Sequence, residues 1–281
     1  MVKRIITAAI AIPIGVLILI LDNPHLIAAV VTFFSVVAVY EILNITKYIQ
    51  HKSISVISLL FALGLPLFIC YNNFEKAINV VSIIFLISMF CAMLFNHKKV
   101  SFEEMTFISF ISVCVPLAFS TLALFRFEYV EHGIFFIVFS LAVTWIADAG
   151  AYFSGTFLGK HKLCPEISPK KTWEGFFGGI VSAGVFALIF GYGYQLWDYI
   201  FTGENHFTLN YMLLVITGLI GAVLGVLGDL SASLLKRKYG AKDFGNILPG
   251  HGGIMDRFDS VLFVAPFIYV IFQLFFPITA L

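Results

Sequence analysis

Residues 211–238, YMLLVITGLIGAVLGVLGDLSASLLKRK, form an apolar run that turns charged at one end. No charged residue interrupts Tyr211–Gly228; a carboxylate then stands at Asp229, and the run closes on Lys236, Arg237 and Lys238. Gly218, Gly221, Gly225 and Gly228 recur at spacings of three and four, which on an α-helix makes one smooth stripe. About 20 apolar residues match the thickness of a bilayer, and small residues let helices approach closely inside it. The segment predicts a transmembrane helix that leaves the membrane at its basic end.

The rest of the chain repeats the theme. Of 281 residues 60% are hydrophobic and 12% charged, with a mean hydropathy of +0.99. Soluble domains average about 45–50% apolar and about 25% charged, so a water-soluble globule is excluded. Apolar spans are expected at about 5–21, 26–45, 54–71, 77–95, 106–125, 132–156, 174–200, 211–235 and 257–277. The fold class is therefore all-α, a polytopic transmembrane helical bundle of about nine spans. The first run lacks a small-residue cleavage site and ends in Asp22-Asn23-Pro24, which marks a retained helix rather than a signal peptide. Cys70, Cys91, Cys114 and Cys164 form no CxxC pair and imply neither a disulfide framework nor a zinc site.

Cytoplasmic loops carry an excess of Lys and Arg. With the N-terminus placed in the cytoplasm, fifteen of the 17 basic residues fall on that side, leaving Lys76 and Arg126 opposite. Nine spans then put the C-terminus outside. Loops 157–173 and 236–256 are the long basic ones. The chain reads as one integral membrane domain, 1–281, with a helical scaffold over 1–130 and the catalytic helices and loops over 131–281.

Chemistry-bearing residues gather in the second half. Asp148 lies within WIADAGAYFSG (145–155), and a carboxylate at the bilayer centre costs about 2.5–3.5 kcal/mol on insertion scales. It is a functional candidate, against the simpler reading of a helix-packing contact. In ISPKKTWEG, Ser168, Lys170 and Lys171 precede a helix whose N-cap is Thr172, so unpaired N–H groups and lysines adjoin as a phosphate cradle. Plain positive-inside anchoring is the alternative. Asp229, Ser233, Lys236 and Arg237 share a helix face, a set suited to a metal-bound polyphosphate. Downstream, KDFGNILPGHGGIMDRFDS (242–260) supplies Lys242 and Asp243, then Asp256, Arg257 and Asp259. Asp229 and Asp256 are hard oxygen ligands suited to Mg²⁺. His251 stands open between general base, phosphate ligand and loop hydrogen-bond donor.

The run SLLKRKYGAKDFGNILPGHGGIMDRFDS, residues 233–260, resembles the defining motif of the phosphatidate cytidylyltransferase (CDP-diacylglycerol synthase) family. The pattern is Ser-x-x-Lys-Arg, a spacer, Lys-Asp, then Pro-x-His-Gly-Gly-x-x-Asp-Arg-x-Asp. WIADAGAYFSG and ISPKKTWEG resemble the family's other blocks, and the likeness is close over about 140–280; upstream, Tyr40-Glu41 is a faint echo. The resemblance implies transfer of CMP from CTP to phosphatidic acid in the cell membrane, with the active site on the cytoplasmic face. It implies Mg²⁺ held jointly by Asp229 and Asp256, with room for a second cation such as K⁺. Catalytic roles fall to Asp229, Asp256, Lys236, Arg237, His251 and Asp259. Substrate binding falls to Asp148, Ser168, Lys170, Lys171, Ser233, Lys242, Asp243 and Arg257. No nucleic acid is expected as a partner, and a homodimer is admitted. The competing readings are a related lipid CTP transferase or polyprenol kinase, and a cation-coupled transporter built on Asp148 and Asp229.

Cysteine labelling from each face of the membrane tests the topology: loop 157–173 should label only from the cytoplasm. Labelling from outside would contradict both orientation and site.

Overall fold

Each apolar run becomes a helix where its ends can satisfy their loose backbone groups. The computed structural model describes residues 2–71 and 74–281, with backbone alone for 2–6, 8 and 74–78. The side chains of Lys3, Arg4 and Lys76, which enter the charge count above, lie outside the described residues. In chain order come α1 (Val2–Leu21), α2 (Pro24–Ile45), α3 (Lys52–Tyr71), α4 (Phe74–Asn96), α5 (Phe102–Glu128) and α6 (Gly133–Leu158). Strands β1 (Lys162–Cys164) and β2 (Ser168–Thr172) precede α7 (Trp173–Thr202), and β3 (Phe207–Leu209) precedes α8 (Tyr211–Lys238). The chain closes with α9 (Met255–Phe258), α10 (Val261–Leu274) and β4 (Ile278–Ala280). Asn23 caps α2 by accepting from the His25 and Leu26 N–H groups, with Pro24 preset for the first turn. Ser101 and Glu104 close a capping box on α5. Thr172 caps α7 as expected, its Oγ1 accepting from the Gly175 N–H at 3.1 Å.

Seven of the described helices are long and apolar enough to cross a membrane, and the protein is an all-α, multi-pass membrane protein. The expected span 5–21 lies within α1, and α10 is shorter than the span expected there. The expected span 257–277 is divided into α9 and α10. The 14 residues of α10 rise about 21 Å, less than the ~30 Å hydrocarbon layer. Its end has a local cause. Pro277 has no N–H to give a helix, and Ile278–Ala280 pairs antiparallel with β3 instead.

The chain divides into two compact units. One comprises the chain up to Ile134 together with Lys236–Phe258; the other holds Phe135–Leu235 and Asp259–Leu281. In the first, α2, α3 and α5 pack on one another and α4 packs on α3. Phe119, Phe125, Ile42 and Ile108 fill that core. The Arg126 guanidinium, nearly buried, donates to Asp22 Oδ1 at 2.5 Å and Oδ2 at 3.1 Å. Beyond α8, Tyr239 and Tyr48 join through their hydroxyls at 2.9 Å. Burial, then the Tyr239 hydrogen bond, pushes the Tyr48 phenol above its ordinary range.

In the second unit, glycines set how closely the helices pass. Gly175 and Gly179 of α7 lie against the carbonyls of Ala151 and Ala147 on α6. The α8 stripe works on two sides: Gly218 against Ala183 and Ala187 of α7, Gly221 against Val143 of α6 and Val264 of α10. A Cβ on Gly179 would stand 2.7 Å from the Ala147 carbonyl oxygen, whereas one on Gly193 would meet nothing within 4 Å. Gly179→Ala should therefore destabilise the fold by about 1–3 kcal/mol through overpacking. Gly193→Ala should leave it unchanged or gain up to about 1 kcal/mol of helix propensity. Thermal unfolding of both variants in detergent checks the contrast; equal midpoints would refute it.

Candidate active site

The segment expected as an irregular loop, 157–173, folds as a hairpin. Cys164-Pro165-Glu166-Ile167 makes its turn, with the Ile167 N–H donating to the Cys164 carbonyl at 3.3 Å and proline preset for the second position. Glu174, in the first turn of α7, receives the His161 backbone N–H at 3.3 Å and lies 2.7 Å from His161 Nδ1. Gly155 and Gly159 let Thr172 lie against the end of α6, since a Cβ at either would stand 2.9 Å from its Oγ1. Successive side chains on a strand point opposite ways. Lys170 is accordingly exposed, while Lys171 is half-buried with its Nζ 2.5 Å from Asp229 Oδ2. Ser233, one turn after Asp229 on α8, donates to its Oδ1 at 3.3 Å. Three of the expected site residues, Lys171, Asp229 and Ser233, thus form one cluster in the second unit, while Asp148 is exposed on α6.

A second cluster forms in the first unit. Leu248-Pro249-Gly250-His251 is a tight turn, its His251 N–H donating to the Leu248 carbonyl at 2.9 Å. Gly250 has φ 82° and Gly252 φ 85°, the left-handed region that favours glycine. The loop thereby folds its backbone around Asp256. Oδ2 of Asp256 accepts the Phe244 N–H at 2.7 Å and the Gly253 N–H at 3.0 Å, and Oδ1 accepts Lys236 Nζ at 2.8 Å. The Lys236 ammonium also sits 5.1 Å from the centre of the Phe244 ring, a cation–π contact. Arg257 Nε donates to the His251 carbonyl at 2.7 Å, and His251 Nδ1 is buried without a hydrogen-bond partner among the described residues.

Other expected residues are not drawn into either cluster. Arg237, Lys242 and Asp243 are exposed, and Ser168 is half-buried on β2. Asp259, expected at the start of the last helix, is buried in the segment between α9 and α10, where its Oδ1 accepts the Ser260 N–H at 2.8 Å. Lys236 shares a helix with Asp229 but pairs with Asp256. Glu41, only a faint echo in the sequence, is 2% exposed and accepts the Ile254 and Met255 N–H groups at 3.1 and 2.9 Å. The signal was available: a carboxylate inside an apolar span is a functional candidate by the reasoning applied to Asp148.

The donor set fits a hard divalent cation. Among the described residues no group of three or more His, Cys, Asp and Glu gathers, so no all-protein cage exists there. Mg²⁺ commonly uses one or two carboxylates and completes its shell with water and substrate phosphates. Asp229 and Asp256 each already hold a cation, the lysine ammonium, on one oxygen.

The chain is 52% identical over 145 residues to phosphatidate cytidylyltransferase of Bacillus subtilis, covering 52% of this chain and 50% of that protein. It is 42% identical over 139 residues to the phosphatidate cytidylyltransferase of Staphylococcus haemolyticus, covering 50% and 49% respectively. With that of Staphylococcus epidermidis the figures are 41% over 148 residues and 53% of each. The matched part thus spans about half the length of these curated relatives. The model of the cytidylyltransferase family, by contrast, matches residues 2–275, so it takes in both lysine–aspartate clusters, and the chain belongs to that family.

Proposed function

We propose that the chain is an enzyme of phospholipid synthesis that transfers CMP from CTP to phosphatidic acid, giving CDP-diacylglycerol and pyrophosphate. The observation that carries this reading is the pairing of a lysine with each motif aspartate, Lys171 with Asp229 and Lys236 with Asp256. A carboxylate for metal and a cation for phosphate are what a polyphosphate substrate requires at one place. The names of the relatives support the choice of lipid and nucleotide.

In the reaction a phosphate oxygen of phosphatidic acid bonds to the α-phosphorus of CTP, and the bond from that phosphorus to the bridging oxygen breaks. The electron pair leaves with pyrophosphate. No protein nucleophile is needed; positioning and charge carry the barrier. Lys171 and Lys236 bind phosphate oxygens, and Arg237, exposed just past Lys236, adds charge for the departing pyrophosphate. The Asp229 and Asp256 carboxylates would serve as ligands for Mg²⁺, which would supply charge neutralisation of the polyphosphate when bound; a second cation such as K⁺ is part of the same proposal. Ser233 orients the Asp229 carboxylate. The site lies on the cytoplasmic face of the cell membrane, where lipid arrives sideways and CTP from water.

Detergent-purified protein given CTP and phosphatidic acid should release pyrophosphate and form CDP-diacylglycerol; no turnover, or turnover with a polyprenol alone, would overturn the reading. Asp229→Asn and Asp256→Asn should each insert and fold yet lose about 10²–10³ in rate, the usual cost of a preorganised charge. Near-normal turnover of either at low Mg²⁺ would remove it from the metal site. The strand alternation ranks the lysines: Lys171→Gln should cost more turnover than Lys170→Gln, and wild-type kinetics in both would leave them as membrane anchors only.

A further inference from the structure

A carboxylate taken out of water must find donors for its oxygens, or the cost is several kcal/mol. Glu41 lies in α2, between Tyr40 and Ile42, and is 2% exposed. Its two oxygens divide two consecutive backbone donors: Oε1 takes the Ile254 N–H at 3.1 Å and Oε2 the Met255 N–H at 2.9 Å. Those amides stand at the start of α9, where a helix has no carbonyl of its own to offer them. The loop also presses backbone on the carboxylate from two more places. A Cβ added to Gly245 or Gly253 would run into the Glu41 carboxyl group, so both positions need glycine while Glu41 is there.

Asp256 occupies the other side of the same loop. It ties Phe244 to Gly253 through their N–H groups, the immediate neighbours of Gly245 and Ile254. The loop is thus held between two carboxylates, one of its own and one from a helix more than 200 residues earlier. Lys236 neutralises Asp256 at 2.8 Å, while Glu41 receives only neutral amides from the loop. We propose that Glu41 is a positioning residue: it fixes the Gly253–Asp256 turn and thereby sets the Asp256 carboxylate for the cation. The loop geometry stands independently of the activity, and the link to the cation rests on the metal role proposed for Asp256.

Glu41→Gln is the discriminating change. An amide keeps the size but presents an acceptor to one backbone N–H and an N–H₂ group to the other. Losing one of the two hydrogen bonds should speed hydrogen exchange of the Ile254 and Met255 amides about tenfold. Exchange in α3 and α5, and the thermal midpoint in detergent, should stay as in the wild type. Titration with Mn²⁺ alone, followed by electron paramagnetic resonance, should show about tenfold weaker binding, and Gly253→Ala should reproduce both effects from the loop side. Unchanged exchange at 252–258 in Glu41→Gln would overturn the proposal. So would faster exchange throughout the helices, which would make Glu41 a general fold anchor, or faster loop exchange with unaltered Mn²⁺ affinity. Asp256→Asn in the same titration separates the two claims. If it binds Mn²⁺ like the wild type, the metal role of Asp256 falls, and with it the positioning of that carboxylate for a cation.

Discussion

A carboxylate taken out of water has to be met by donors, and among the described residues Asp229, Asp256 and Glu41 each show how. Asp229 is matched by a lysine on a strand and a serine one turn along its own helix. Asp256 is matched by a lysine and two backbone amides. Glu41 is matched by two backbone amides. Each solution dictates local structure. The β1–β2 hairpin exists where Lys171 has to reach Asp229, and the 244–256 loop takes its shape around Asp256. Burying one member of such a set without the other would cost about 3–5 kcal/mol, more than most single packing contacts supply.

Backbone has to come close for these matches to form, and glycine makes room. Gly252 and Gly253 let amide groups face two carboxylates at once, and Gly250 turns the loop back on itself. In the second unit the same residue type serves helix packing, where Gly175 and Gly179 lie against carbonyls of α6. The motif glycines and the membrane glycines thus do different physical work, although both look alike as a row of small residues.

Legibility followed locality. The seven long spans, the Thr172 cap and the Asp229–Ser233 pair all depend on spacings of about 20, three or four residues, and all are visible in the sequence. What escaped reading depends on contacts between distant residues or on competing geometry. Lys236 shares a face with Asp229 by helical spacing, yet a loop of 20 residues returns Asp256 to it. The hairpin at 162–172 hides in a stretch with turn signals but strands of only three and five residues. The end of α10 is set by Pro277 together with a strand partner some 70 residues upstream. Glu41 stands 213 residues from Ile254, and no local pattern could announce that partner.

The most direct measurement is an experimental structure with Mg²⁺ and a non-hydrolysable CTP analogue bound. The expected result is a cation in contact with the Asp229 and Asp256 carboxylates, with Lys171 and Lys236 engaged by phosphate oxygens and Glu41 still holding the Ile254 and Met255 amides. Nucleotide and cation bound elsewhere, with both lysine–aspartate pairs intact, would contradict it.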